Sequence, residues 1–358
     1  MSSKKGSFDW EQYINNYSDL KHLNTYEKAY AHFTRFGIHE NRTDALHFHS
    51  IFYKDNMIYV IQPIYKTFDA YFKMFDKSGN EIKLTNQIIK DQWEPIIISM
   101  FESKYIPDVF LKFGPRKIHV TLNTAPKQEH KFLTLTTLFK DDYNIFPFFY
   151  NYYKQQGVDH FYLYYNGKLT NTIKELCNKP DVTLIEWNVI YHSQNAYTSP
   201  HVAQTGQIND CIYKYAKGST DYLIICDFDE YLFVEGGTTL KDYIKEHPET
   251  DVFGFKQILA KSEKRPENMD TFPKTIYTSP TIFEYFNYEQ TKMEGNKASS
   301  KCIHKMQTLT TTSINYHDLP NAIVNNSNYF YHFFNWSQPY RTKGDTFFLI
   351  DSFTTSNT

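Results

Sequence analysis

Four consecutive residues, Asp227-Phe228-Asp229-Glu230, carry the clearest chemistry in this chain. In an extended segment alternate side chains share a side, so Asp227 and Asp229 are expected together while Phe228 turns back toward a core. Two carboxylates in one small volume repel unless a proton or a cation neutralises them. Hard divalent ions such as Mn²⁺ or Mg²⁺ take oxygen ligands, and a metal held by two side chains keeps open positions that a diphosphate can bridge. The run therefore points to a nucleotide or nucleotide-sugar substrate. A bare Asp-x-Asp is common as a solvated acidic turn, so its meaning depends on context. Tyr231 and Leu232 stand where a calcium-sensing EF-hand loop needs an oxygen ligand and a glycine, and Tyr231 replaces the Thr or Val of a phosphoaspartyl motif. The glycine patterns of P-loops, dinucleotide folds and nucleophile elbows are absent from the sequence.

The elements that must position these carboxylates are legible upstream. Residues 222–226 carry no charge and read as a central strand buried on both faces. Asp227 then falls at the carboxyl end of that strand, the edge where open α/β sheets bind ligands. Strands at 133–139, 160–165 and 182–187 alternate with a helix at 146–156 and a second helix entered through Thr172, spaced from Glu175 as in a capping box. Pro147 is tolerated in the first turn of the former, and Gly157 stops it. A longer helix over 202–217 is expected to bury Ile208, Cys211, Ile212 and Tyr215 and to leave Gln207, Asp210 and Lys214 on its other side. Alternation of this kind predicts an α/β domain over 128–358.

Residues 46–127 switch to period two, with strands at 57–61, 68–74, 96–101, 109–113 and 118–122 and a turn at Lys77-Ser78-Gly79-Asn80, which fits a β-sandwich-like accessory domain. Residues 1–45 read as a helical appendage. Trp10, Tyr13, Ile14 and Tyr17, then Tyr26, Ala29, Tyr30 and Phe33, repeat at helical spacing, with Asp9 and Thr25 as N-caps and Gly37 as a stop.

The net charge of −2 over 358 residues argues against a partner held by phosphate neutralisation, so no nucleic acid is expected. No apolar run approaches the ~20 residues that cross a bilayer, and Met1 to Trp10 lacks the apolar stretch of a signal peptide. A soluble cytoplasmic protein without a transmembrane segment is expected. Cys177, Cys211, Cys226 and Cys302 show no CxxC pairing and read as buried thiols rather than a zinc site or disulfide framework.

Four segments, taken in order, carry a resemblance. They are Lys140-Asp141-Asp142, the stretch Gly157-Val158-Asp159-His160-Phe161-Tyr162-Leu163-Tyr164-Tyr165-Asn166, the helix with Gln204, Gln207, Asn209, Asp210 and Cys211, and Asp227 to Leu232. Over 136–233 the chain resembles glycosyltransferase family 92, among the GT-A transferases, with Asp142 where that family carries Glu. Beyond Phe233 the pattern thins to Lys301, His317, His332 and Arg341. Trp10, Tyr13, Tyr17, Asp19, Leu20, His32, Gly37, Glu40 and Arg42 resemble a short module found beside glycosyltransferases in bacterial and viral proteins.

The resemblance implies a GT-A, Rossmann-like mixed sheet flanked by helices. It implies transfer of a sugar from a nucleotide donor to a glycan or other hydroxyl acceptor, with Mn²⁺ (or Mg²⁺) and inversion at the anomeric carbon. A UDP-sugar ranks first as donor, and galactose first as the sugar. The implied metal ligands are Asp227, Asp229 and a C-terminal histidine, His317 ahead of His332. Lys301 is placed on the donor phosphates, Asp142 and Asn166 on base and ribose, and Gln204 and Gln207 toward the donor sugar. An inverting displacement also needs a carboxylate base near the acceptor. Glu263, Glu267, Asp270, Glu284 and Glu289 all qualify by position, with Glu263 preferred because it follows the strand at 252–259 soonest. Animal members of the family are held in secretory membranes by an N-terminal anchor, so the start of this chain implies a viral or microbial enzyme working in the cytoplasm, the host's if viral. Two other readings stay open: a catalytically inactive carbohydrate-binding or assembly protein on the same scaffold, and a nucleotidyltransferase, disfavoured because the glycine-rich, arginine-containing loop near the first strand is missing.

Overall fold

The computed structural model describes residues 8, 10–15, 17–37, 39–40, 42, 48–63, 72–90, 96–113, 116–140, 142–189, 191, 202–261, 288–290, 300–310, 322–332 and 347–349. The chain divides into two compact units, Met1–Lys127 with Val189–Tyr215, and Gln128–Asn188 with Ala216–Thr358.

The first unit opens with helices α1 (Trp10–Asn15) and α2 (Tyr26–His32). Thr25 caps α2 by accepting from the Lys28 backbone N–H. Tyr13, Leu20 and Ala29 are buried between the helices among Phe8, Trp10, Ile14, Tyr17, Leu23 and Phe33. A Cβ at Gly37 would overlap the Tyr13 hydroxyl, which is why the chain turns there on a glycine. Eight strands follow: β1 (Ser50–Lys54), β2 (Met57–Pro63), β3 (Lys73–Phe75), β4 (Glu81–Ile82), β5 (Asn86–Lys90), β6 (Ile96–Glu102), β7 (Asp108–Phe113) and β8 (Arg116–Thr121). They form two antiparallel sheets in the orders β1-β2-β6-β5 and β4-β3-β7-β8. Ile58, Val60 and Phe101 from one sheet share a core with Met74, Val109, Leu111 and Phe113 from the other, so the period-two pattern does close into a sandwich.

The second unit alternates β9 (Lys131–Phe139), α3 (Phe146–Gln155), β10 (His160–Tyr165), α4 (Asn171–Leu176) and β11 (Val182–Glu186). The cap of α4 is Thr170 rather than Thr172, because the Thr170 hydroxyl accepts from the Ile173 N–H at 3.3 Å. The chain then contributes α5 (Val202–Asp210) to the first unit. Contrary to the amphipathic expectation, Gln207 and Asp210 are as buried as Ile208. Two features account for this. The helix widens into a π-turn at Cys211–Ala216, which breaks the 3.6-residue register. Its glycine also presses on a neighbour, since a Cβ at Gly206 would meet the His49 ring at 2.5 Å.

Back in the second unit come β12 (Thr220–Ile225), β13 (Glu230–Val234), α6 (Leu240–Glu246), β14 (Val252–Lys261), β15 (Tyr288–Gln290), β16 (Ser300–Lys305), β17 (Ala322–His332) and β18 (Phe347–Leu349). The sheet runs β11-β10-β9-β12-β16-β14-β15-β18, with β17 joining β13 to β14. The first four strands are parallel, and β16 is antiparallel to both neighbours. This is the expected mixed sheet. From β9 the order runs one way through β10 to β11 and then restarts on the other side with β12. The carboxyl ends of β9 and β12 therefore flank a topological switch point, the place where such sheets leave a crevice. Phe146, Phe149 and Tyr153 of α3 are buried in the core of this unit with Phe139, Phe228 and Tyr231. All four cysteines are buried thiols outside any disulfide. Among the described residues, no helix is long and apolar enough to cross a membrane.

Candidate active site

Tyr222 to Cys226 are at most 4 % exposed, as a strand covered on both faces requires. Beyond Ile225 the chain does not stay extended. It turns, with the Glu230 N–H donating to the Asp227 carbonyl at 3.1 Å and the Asp227 N–H donating to the Glu230 carboxylate at 2.8 Å. The expected sidedness survives for a different reason than strand pleating: Phe228 is fully buried, with its ring centroid 4.7 Å from Phe139 and 4.8 Å from Phe149. Anchored by that ring, the turn leaves Asp227 34 % and Asp229 19 % exposed. Helix α3 fixes the start of β13. The Tyr153 hydroxyl donates to the Glu230 carbonyl at 2.8 Å and accepts from the Leu232 N–H at 3.1 Å, and Tyr152 donates to the Leu232 carbonyl at 2.7 Å.

Two neighbouring strands bring cationic side chains to this turn. Antiparallel pairing of β12 with β16 sets Ile225 opposite Cys302, next to Lys301. Lys301, 3 % exposed, places its Nζ 3.0 Å from Glu230 Oε2 and 3.6 Å from Asp227 Oδ2. Pairing of β13 with β17 sets Glu230 opposite His332. The His332 Nε2 lies 3.4 Å from Asp229 Oδ2, and the Gln257 side-chain amide on β14 lies 2.6 Å from Nδ1 and orients the ring.

Three carboxylates thus face one lysine and one histidine, and the proton affinities of the two aspartates diverge. Burial, reinforced by the Glu230 and Asp229 carboxylates, pushes Asp227 up to about 7 against the pull of Lys301. Burial also raises Asp229, but the charge and hydrogen bond of His332 outweigh it and hold that carboxyl below its ordinary range. His332 responds in the opposite sense, with Asp229 overcoming burial to raise it. Lys301 is likewise raised, because Glu230 and Asp227 outweigh its desolvation. The charge count points the same way: three carboxylates stand against one ammonium and one imidazole among the described residues.

Ligand atoms of Asp229, Glu230 and His332 lie within 4.8 Å of one another. Carboxylate oxygens with a single imidazole nitrogen suit Mn²⁺ or Mg²⁺, and the surplus carboxylate charge is what a divalent cation neutralises. The donor types at the turn, aspartate oxygens with the His332 imidazole beside Asp229, therefore fit the metal that the Asp-x-Asp pattern implies.

Residues 135–348, well over half of the sequence, match the family profile described as Glycosyltransferase family 92. The chain belongs to glycosyltransferase family 92. It is therefore a glycosyltransferase, acting between a sugar donor and an acceptor. Among solved structures it is similar to HddC from Yersinia pseudotuberculosis, at 14 % identity and a TM-score of 0.29 over 56 % of this chain and 93 % of that one. It is also similar to 4-diphosphocytidyl-2C-methyl-D-erythritol synthase from Anaerococcus prevotii, at 9 % identity and a TM-score of 0.27 over 49 % and 72 %. No curated protein matches it.

The other residues that sequence reasoning placed in this glycosyltransferase's site divide into groups. Asp142 lies just past β9 and folds back, its carboxylate accepting from the Lys140 N–H at 3.1 Å. Asn166, 6 % exposed, ties three strand ends together, its N–H donating to Phe139 and its side-chain amide to Trp187, at 2.8 and 3.1 Å. Gln204 and Gln207 are buried on α5 in the first unit, where Tyr191 donates to Gln204 at 3.3 Å. Lys301 does reach the site, though as a buried partner of Glu230 and not as a solvated chain. His317 and Glu263 lie outside the described residues, as do Glu267, Asp270, Glu284 and Arg341, while Glu289 falls in β15. Sequence reasoning gave no part to Glu230 or Gln257. The former stood in plain view inside the Asp-x-Asp-Glu run, but only the turn shows that its carboxylate points inward.

Proposed function

We propose that the enzyme is a metal-dependent, inverting glycosyltransferase that moves a hexose from a nucleotide-sugar donor to a glycan or other hydroxyl acceptor. A UDP-sugar, with galactose foremost, is the donor we favour. The observation that carries this reading is the excess of carboxylate over cation in the Asp227–Glu230 turn at the carboxyl end of β12. Asp227, Asp229 and His332 are the residues that would hold Mn²⁺, with His317 retained as an alternative third ligand. When bound there, the ion supplies Lewis-acid stabilisation of the departing diphosphate.

The chain's own part is positional. Phe228, locked among the α3 aromatics, fixes the two aspartates on the crevice side of the sheet. Gln257 holds the His332 ring in one orientation, so that its Nε2 is presented toward Asp229. Asp142 and Asn166, at the carboxyl ends of β9 and β10, are on the edge where the nucleoside of the donor would lie. The general base we assign to Glu263, two residues beyond β14, which would take the proton from the acceptor hydroxyl as the bond to the anomeric carbon forms.

Calorimetric titration of UDP and GDP, each with and without Mn²⁺, tests the assignment. Binding of one nucleotide only in the presence of metal, abolished in Asp229→Ala, is expected. Metal-independent binding, or wild-type affinity in that variant, overturns it. Incubation with a panel of nucleotide sugars then identifies the donor through slow hydrolysis, whereas a pure binding protein hydrolyses none. A product that keeps the donor's anomeric configuration by proton NMR overturns inversion.

A further inference from the structure

Glu230 looks at first like a third metal-binding carboxylate, since one of its oxygens lies within 4.8 Å of ligand atoms of Asp229 and His332. Its surroundings give it another task. One of its oxygens, Oε2, already accepts from the Asp227 N–H at 2.8 Å and pairs with Lys301 at 3.0 Å. Both side chains of that pair are 3 % exposed. The Glu230 carbonyl is held in turn by Tyr153. Glu230 is thus bound to the backbone of one aspartate, to helix α3 and to a lysine on β16. Lys301 has two carboxylates within reach, Glu230 at 3.0 Å and Asp227 at 3.6 Å, and Glu230 keeps the ammonium on its own side of the turn.

We propose that Glu230 and Lys301 form a buried positioning pair that sets the Asp227–Asp229 turn for divalent metal, with neither side chain contacting the metal or the donor phosphates. This rests on the metal-dependent reading above. It removes Lys301 from the phosphate-binding role and Glu230 from the ligand set. The pair acts in two ways. The carboxylate fixes the Asp227 backbone by its hydrogen bond, and it occupies the ammonium, which would otherwise draw the Asp227 carboxylate away from a bound cation. A buried pair with one member removed leaves an uncompensated charge, while a pair replaced by neutral groups of similar shape leaves none.

The test is Mn²⁺ binding, with the metal alone and then with UDP, in the full chain carrying Glu230→Gln, Lys301→Met, or both, beside thermal melts of the metal-free proteins. The amide introduced by Glu230→Gln retains an acceptor for the Asp227 N–H but frees Lys301 to pair with Asp227. This single variant should therefore lose about tenfold or more in Mn²⁺ affinity, the range seen when residues behind a metal's ligands are removed. Adding Lys301→Met should restore Mn²⁺ affinity to within about threefold of wild type, because no stray cation remains. The double variant buries no unpaired charge, so it carries the test even if the single variant does not fold. A double variant still weakened about tenfold makes Glu230 a ligand and overturns the proposal, as does unchanged affinity in Glu230→Gln. Restored Mn²⁺ affinity with UDP binding still down about tenfold returns Lys301 to the phosphates and overturns its part. Wild-type protein that binds no Mn²⁺ with or without UDP defeats the metal-dependent reading itself, an outcome distinct from binding that is intact in wild type and indifferent to the pair.

Discussion

Two lysine–carboxylate pairs sit at opposite edges of the transferase sheet, and the contrast between them locates the chemistry. At the amino-terminal edge, Asp159 precedes β10. One of its oxygens accepts from the backbone N–H groups of Phe132 and Leu133 at 3.2 and 3.0 Å, and the other takes Lys241 of α6 at 2.6 Å. There one carboxylate meets one ammonium, and each side chain is about a quarter exposed, at 28 % and 25 %. At the carboxyl-terminal edge Glu230 meets Lys301 at 3.0 Å with both 3 % exposed, and two further aspartates stand beside them with only His332, among the described residues, as a further cation. The first pair closes its own charge balance and fastens a strand and a helix. The second does not balance, which is expensive in a buried place unless a ligand supplies the missing positive charge. Burial and pairing occur at both edges; the uncompensated carboxylate occurs at one.

The sharpest way to break the contrast is to remove a carboxylate from each edge. Asp229→Ala should lower turnover roughly a thousandfold, since Lewis-acid stabilisation is worth several kcal/mol and each 1.36 kcal/mol is tenfold in rate. Its melting temperature should fall far less than its turnover, because the lost pairing with His332 is offset in part by relief of crowding with Asp227 and Glu230. Steady-state rates with the hydrolysed donor, read beside a thermal melt, check both halves. Equal loss of stability and activity would erase the distinction between the two edges.

A smaller effect is expected from Gly157, which lies at the amino-terminal edge just ahead of Asp159. Its φ is +86°, and a Cβ there would meet Lys241 Cβ at 2.5 Å, an atom too near the backbone to swing aside. Gly157→Ala should therefore cost about 2 kcal/mol or somewhat more in stability, the upper part of the range for a non-glycine residue held at positive φ. For a domain of this size that is a fall of about 4–8 °C in melting temperature. Metal-dependent nucleotide binding measured well below the melt should be unaltered.

This dual character explains what could be read from sequence and what could not. The stretch Gly157 to Asn166 was one of the four segments that carry the family resemblance, yet both ends of it also serve the fold: Gly157 through its backbone, Asp159 through three donors and Asn166 by tying strand ends. Strands such as His160–Tyr165 were legible because alternation and apolar runs report burial directly. The position of the Asp-x-Asp run was legible for the same reason, as the end of an uncharged strand. Its conformation was not. Sequence gives the period of a strand, but whether Asp227 continues it or turns depends on Glu230 reaching back to the Asp227 N–H. The pairing of His332 with Asp229 depends on the β13–β17 register, a contact across about a hundred residues that no local pattern encodes. The polar residues of α5 misled for a related reason, since a helix that ends in a π-turn and is packed through its glycine has no simple outer face.

The smallest predicted effect concerns pH and isolates the balanced pair. Burial raises Asp159, but its hydrogen bonds to Lys241 and to the Leu133 and Phe132 N–H groups outweigh that and lower its carboxyl below the ordinary value. An unfolded chain protonates Asp159 near the usual ~3.9, whereas the folded chain holds it ionised to lower pH. Between those values the unfolded state binds the extra proton, so stability rises with pH across this interval. The contribution is complete above about pH 5 and fades as pH falls through the folded value. Asp159→Asn keeps the shape and loses the charge. With a quarter of each side chain in contact with water, the expected cost at neutral pH is about 1 kcal/mol, within the range for a hydrogen-bonded charge after solvent screening. The difference in melting temperature between wild type and variant should then be a few degrees at pH 7 and should narrow steadily below pH 4. A difference that stays constant from pH 7 to pH 3 would assign the cost to lost geometry and not to charge, and the balanced pair would no longer serve as the counterpart of the unbalanced one.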